Sequence, residues 1–86
     1  MNQKDKVKDL LQILIMLYNI NSKYKKELSA IINMFEYSVN LKSIIKFVSS
    51  KITKTDLPNY KDPVNRKADK EFWKYIMNLI VNVIKQ

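Results

Sequence analysis

The chain has no glycine, no histidine and no cysteine, and only two prolines, two alanines and one arginine. Each absence removes chemistry. Without glycine there is no phosphate-cradling loop and no dinucleotide fingerprint, because both need backbone positions that only glycine tolerates. Without histidine and cysteine, ordinary zinc sites, Ser–His and Cys–His nucleophiles and the commonest general base are gone. No disulfide can brace the fold, which fits a reducing compartment. A lone arginine, Arg66, is too little for a base-reading surface, since bidentate contacts to guanine or phosphate usually use arginine.

Eight carboxylates remain. Asp5 and Asp9 are spaced i, i+4, but lysines flank both. Asp69 and Glu71 are two apart and point to different sides of a helix. Glu27, Glu36, Asp56 and Asp62 fall in no calcium-loop spacing. No serine has a recognisable activating base. The expectation is a protein that is not an enzyme, with no catalytic residue, no cofactor and no metal site.

Against these gaps stand 15 lysines, 11 isoleucines and 9 asparagines. That bias follows from AT-rich coding and points to a low-GC bacterium, or to a plasmid or phage living in one. The net charge of +8 favours acidic partners: nucleic acid, anionic lipid or an acidic protein. At 86 residues the chain is one domain with a small core. Its apolar content and periodicity argue against disorder.

Leu10 to Ile20, LLQILIMLYNI, organises the rest. At ~100° per residue, Val7, Leu10, Leu11, Leu14, Leu17 and Tyr18 form one broad apolar face. Lys4, Lys8, Gln12 and Asn19 occupy a polar side, with Ile15 stranded among them. Ile13, Met16 and Ile20 form a second apolar line away from the main face. The plainer reading packs that line against neighbours within the domain. The sharper one gives it to a partner chain, a second copy or lipid. The apolar run is too short for a membrane span, which needs about 20 residues. Lys4, Lys6 and Lys8 precede it as in a secretory signal. Asp5 and Asp9 interrupt that basic stretch, and Asn19 to Lys23 is a poor cleavage site, so the segment reads as mature protein.

The periodicity predicts four helices. Helix 1 covers about Gln3 to Ile20, with Asn2 as N-cap. Helix 2 covers Lys23 to about Tyr37, capped by Ser22, with Tyr24, Leu28, Ile31, Ile32, Phe35 and Val39 on one face. Its first turn holds Lys23, Lys25 and Lys26, which oppose the helix dipole. Helix 3 covers about Leu41 to Ile52, capped by Ser38 or Asn40. Its stripe of Leu41, Ile44, Ile45, Val48 and Ile52 is rotated from that of helix 2, so one straight helix cannot serve both. The alternative is a single bent helix. Thr53 to Pro63 reads as a loop, ended by Asp62 as N-cap and Pro63 as first residue of helix 4. Helix 4 runs from about Pro63 to Lys85. Its expected core face is Ala68, Phe72, Tyr75, Ile76, Leu79, Ile80 and Val83, widened by Trp73, Met77, Val81 and Ile84.

The expected fold is therefore all-α: a compact, roughly antiparallel four-helix bundle, with helices 1 and 4 central and one longer loop at about 53–63 before a long C-terminal helix. In length, charge, helical make-up and genomic setting, the chain resembles the bacteriocin immunity proteins of low-GC bacteria. That similarity covers general architecture and rests on no motif, so no residue role is carried over. It implies a non-catalytic protein acting on a protein partner, cytoplasmic or peripheral at the inner face of the membrane. Phage and plasmid accessory proteins look alike at this level. The apolar partner patch would be Ile13, Met16 and Ile20, which also admits a homodimer. The basic binding surface would be Lys23, Lys25, Lys26, Lys42 and Lys46. The alternative is a small nucleic-acid-binding regulator with helices 2 and 3 as a helix-turn-helix, Lys42, Lys46, Ser49 and Ser50 facing the groove. The connection lacks the glycine often found there.

Overall fold

Four α-helices run in the order α1 (Gln3–Ile20), α2 (Lys25–Glu36), α3 (Leu41–Lys54) and α4 (Arg66–Ile84), and a 3-10 turn at Pro63–Asn65 leads into α4. The computed structural model describes residues 3–37 and 40–85. The expected roles of Asn2, Ser38 and Val39 lie outside these residues.

α1 packs against α2 and α4, and α4 packs also against α3. The two central helices are thus α1 and α4, as their apolar content requires. Chain direction follows from which ends meet. The first half of α1 (Lys6, Leu10) lies beside the last turns of α4 (Leu79, Val83). Tyr24, just before α2, reaches the start of α4 at Phe72 and Trp73. The end of α3 meets the start of α4 through Arg66 and Thr55. Neighbouring helices are therefore antiparallel, as short connections between bundle helices favour.

The core is Leu10 and Leu14 from α1, Leu28 and Ile31 from α2, Ile44 and Val48 from α3, and Trp73, Ile76, Ile80 and Val83 from α4. Val7, Leu17, Tyr18, Ile32, Phe35, Leu41, Ile45 and Ile52 pack around it, half-buried. Burying a Leu or Ile side chain contributes roughly 1.5–3 kcal/mol, so these positions carry most of the stabilisation.

Several boundaries differ from the sequence reading, each for a local reason. α2 starts at Lys25, and Ser22 does not cap it; Tyr24 holds the cap position with no side-chain capping bond. The Tyr24 hydroxyl is engaged by Asp69 instead. α2 and α3 are separate helices, and Asn40 caps α3 by accepting the Ser43 N–H at 2.9 Å. α3 continues to Lys54, where the Thr55 hydroxyl donates to the Ile52 carbonyl at 2.6 Å. The loop is correspondingly shorter. α4 opens with a 3-10 turn with proline in its first turn, while the Asp62 carboxylate accepts from the Asn65 side-chain amide rather than from a backbone N–H.

The deepest stripe of α4 is also corrected. Ala68 and Tyr75, expected in the core, are exposed, while Asp69, Trp73, Ile76, Ile80 and Val83 are buried. Their spacing of 4, 3, 4 and 3 keeps them on one side of the helix. The apolar arc of α4 is wider than its buried stripe, and its centre lies nearer Trp73 than Phe72. No helix among the described residues is long and apolar enough to cross a membrane.

Candidate functional site

The most organised polar chemistry surrounds Asp69, in the first turn of the long final helix. Its residue is 2% exposed, yet it is a carboxylate on the stripe that carries Trp73 and Ile76. A buried carboxylate must be satisfied or it costs several kcal/mol, on the order of 3–5 if a partner is lost. Three donors meet it. The Tyr24 hydroxyl donates to Oδ1 at 2.7 Å and the Tyr60 hydroxyl to Oδ2 at 2.5 Å. The Lys23 ammonium pairs with Oδ1 at 2.9 Å and also with Asp62 Oδ2 at 2.8 Å.

Aromatic packing fixes this geometry. Tyr24 stacks flat on Phe72, with ring centroids 3.8 Å apart and planes 7° from parallel. Trp73 stands edge-on to both, at 5.9 Å from Tyr24 and 5.0 Å from Phe72. Offset and edge-on contacts of this kind favour definite ring orientations, which aims the Tyr24 hydroxyl at Asp69. Tyr60 is fixed from the loop. The Arg66 guanidinium lies 5.6 Å from its ring and donates to the carbonyls of Thr55 and Leu57. The only arginine therefore ties the exit of α3 to the entrance of α4. Lys70 adds a further tie to Asp56 at 2.8 Å.

The protonation states follow. Burial pushes the Asp69 carboxyl up, but the hydrogen bonds from Tyr60, Tyr24 and Lys23 outweigh it and hold it below the ordinary value. Burial first, and then the bond to Asp69, pushes the Tyr24 and Tyr60 hydroxyls up to about 12. The hydrogen bonds to Asp62 and Asp69 hold the Lys23 ammonium above its usual range. The network is a carboxylate with two neutral phenols and an ammonium, and every charge in it is answered.

Beside this network a cavity of about 400 Å³ opens between the start of α2, the end of α3 and the 55–62 loop. Tyr24, Leu57 and Trp73 give it an apolar floor. Its other wall is basic: Lys51, Lys54 and Lys61 face Glu27. Lys51 is half-buried, and burial lowers its pKa; Lys54, Lys61 and Lys26 lower it further, while Glu27 opposes them. Glu27 Oε1 is buried with no hydrogen-bond partner.

The five lysines expected to form one basic surface are not brought together. Lys23 is occupied by its two aspartates. The Lys25 ammonium sits 4.2 Å over the Tyr18 ring. Lys26 is exposed near Lys51. Lys42 and Lys46 are exposed on the first half of α3. At 1.5 Å rise per residue, Lys42 lies roughly 18 Å along the helix from the cavity wall at Lys54. The apolar line is divided as well. Ile13 is half-buried, whereas Met16 is 53% and Ile20 70% exposed, and Ile15 is exposed on the polar side as expected.

The residues missed in the sequence reading are Asp69, Tyr60, Glu27, Lys51, Lys54 and Lys61. One signal was present: Asp69 stands at the head of the 69-73-76-80-83 stripe, where a charge on a core line calls for partners. Among the described residues no group of acidic side chains is arranged to hold a metal ion. The sequence matches no family model, and no curated protein or solved structure matches it.

Proposed function

We propose that this chain is a small non-catalytic binding protein that docks on a protein partner through the outer face of α1. The observation that carries the reading is the exposed apolar pair Met16 and Ile20, one helical turn apart on a helix whose opposite face already fills the core. Apolar side chains supply affinity once water is excluded, and the net positive charge steers an acidic partner toward the surface. In architecture and charge the reading is that of a bacteriocin-immunity-like bundle of a low-GC bacterium or its plasmid or phage, acting in the cytoplasm or at the inner membrane face. The absence of histidine, cysteine and glycine supports a non-catalytic role.

The test is expression in a bacteriocin-sensitive strain challenged with any bacteriocin found co-encoded with the gene. Protection is expected, and Met16→Lys with Ile20→Lys removes it while leaving the helical content unchanged. Absence of protection removes the immunity reading. Protection untouched by the double substitution moves the docking face elsewhere.

A second reading, a nucleic-acid-binding regulator, is favoured by one feature. Lys42, Lys46, Ser49 and Ser50 are exposed along α3. Binding by phosphate contacts weakens steeply with salt. Mobility shifts with duplex DNA and RNA in low and moderate salt separate the two readings.

A further inference from the structure

The cavity between α2, α3 and the 55–62 loop combines three features that hydration alone leaves unexplained. First, Lys54, Lys61 and nearby Lys26 all repel the half-buried Lys51 ammonium, and Glu27 acts against them. Like charges gathered around a half-buried ammonium are locally unfavourable, and such conflicts concentrate at functional sites. Second, Glu27 Oε1 is buried without a donor. A buried acceptor left unmade carries a desolvation penalty, which a ligand N–H or O–H would relieve. Third, the floor is apolar, made by Trp73 and Leu57, and the volume of about 400 Å³ is in the range of small-molecule sites. The neighbouring Lys23–Asp62–Asp69 network sets one ammonium against two carboxylates that also line the cavity, so its net charge is −1 and the positive charge of the site lies on the lysine wall.

We infer that this cavity binds a small phosphate monoester whose organic part carries a hydrogen-bond donor. The dianionic phosphate sits against Lys51, Lys54 and Lys61, a small turn of the Glu27 side chain brings its carboxylate to the donor, and the rest lies on Trp73 and Leu57. A phosphate suits three ammonium groups better than a single carboxylate, because it brings two charges and three acceptor oxygens. Nucleotides and sugar phosphates share this chemistry. None of the lining residues lies on α1, so the inference stands or falls apart from the α1 docking face.

The experiment is a titration with inorganic phosphate, ribose 5-phosphate and adenosine monophosphate at low salt, read by Trp73 emission and by calorimetry. Trp73 is the only tryptophan and forms part of the floor, so it reports on the cavity itself. Saturable one-site binding of an ester is expected. Lys51→Gln or Lys54→Gln weakens it by about tenfold or more, the scale of a lost charge-assisted hydrogen bond. Glu27→Leu separates the phosphate from the donor: it tightens inorganic phosphate by removing a negative charge, yet weakens the esters by removing their acceptor. Adenosine monophosphate tighter than ribose 5-phosphate identifies the nucleotide class; equal affinities identify the sugar phosphate. Lys42→Gln with Lys46→Gln, remote on α3, leaves every affinity unchanged. Lys54, exposed at the end of α3, carries the test if Lys51→Gln does not fold. No saturable binding of either ester overturns the inference. So does a Glu27→Leu effect of the same sign on phosphate and esters, or an equal loss in the remote lysine pair, which would make the attraction diffuse.

Discussion

Tyr60 donates its hydroxyl to Oδ2 of Asp69 at 2.5 Å, and so joins the loop after α3 to a buried position of α4. Tyr24 takes the other oxygen from the start of α2. One carboxylate thereby holds three segments that are far apart in sequence. Asp69→Ala is expected to destabilise the bundle by about 3 kcal/mol, because it orphans two phenols at once and leaves Lys23 with Asp62 alone. Tyr60→Phe removes one bond and leaves the rest, for about 1 kcal/mol. Urea unfolding of the single and double variants checks both, and a coupling energy near zero between Tyr60 and Asp69 would contradict the arrangement.

The same network sets the pH range of stability. The Asp69 pKa is lowered in the folded state, so its contribution is present above the unfolded value near 3.8 and is lost as pH falls through the folded one. The half-buried Asp62 and the exposed Asp56, lowered first by Lys23 and by Lys70 respectively, act in the same direction. Tyr24 and Tyr60 work at the other end. Their folded values are raised from 10.0 to about 12, so the folded state holds protons that the unfolded chain releases. Their contribution is present below pH 10.0 and is lost as pH rises through about 12. The raised Lys23 ammonium adds to that loss at high pH. Thermal melting against pH should therefore show a plateau that falls at both ends. Asp69→Asn flattens the acid limb, and Tyr24→Phe with Tyr60→Phe reduces the alkaline slope. An alkaline slope unaltered by the double phenylalanine variant would place the cause elsewhere.

What could be read from the sequence divides along range. α1 from Gln3 to Ile20 and the start of α3 at Leu41 were legible, because a 3.6-residue apolar period and an Asn40 cap are local signals. The exposure of Ile15 was legible for the same reason. The Asp69 network was not. Its partners lie 45 residues upstream at Tyr24 and 9 upstream at Tyr60, and no periodicity relates them. The surroundings of the five lysines were hidden on the same ground: adjacency in sequence at Lys23, Lys25 and Lys26 says nothing of the aspartates and tyrosine that engage two of them. Ala68 and Tyr75 were misplaced because the apolar arc of α4 is broad, and its centre could be fixed only by the neighbours it packs against.

Arg66 gives a third test. Its guanidinium donates to the carbonyls of Thr55 and Leu57 just beyond the end of α3. Both bonds come from Nη1, and the planar guanidinium also lies against the Tyr60 ring, a combination that a compact, strongly hydrated ammonium does not reproduce. Arg66→Ala should cost about 1–2 kcal/mol, and Arg66→Lys should recover less than half of it. Amide hydrogen exchange is expected to rise through residues 55–60 in both variants. Unchanged protection in that stretch would show that the Thr55 hydroxyl bond and the Lys70–Asp56 pair suffice without the guanidinium.

The two faces of α1 predict opposite responses. Leu14 is fully buried and Ile20 is 70% exposed, six residues later on the same helix. Leu14→Ala should destabilise by about 2–5 kcal/mol, the cost of a core cavity. Ile20→Lys and Met16→Lys, which remove no core contact, should stay within about 0.5 kcal/mol of the parent. Ile13 lies between these extremes, half-buried at the α1–α4 groove. Ile13→Lys is expected to fold with a loss of about 1–2 kcal/mol, since its lysine stem can keep part of the packing while the ammonium reaches water. Urea unfolding and analytical ultracentrifugation together decide between partner face and monomer core. A folded Ile13→Lys monomer from a dimeric parent assigns the line to a second copy. A parent that is already monomeric leaves Met16 and Ile20 to a different partner, and an unfolded Ile13→Lys chain places Ile13 in the core that Leu14 anchors.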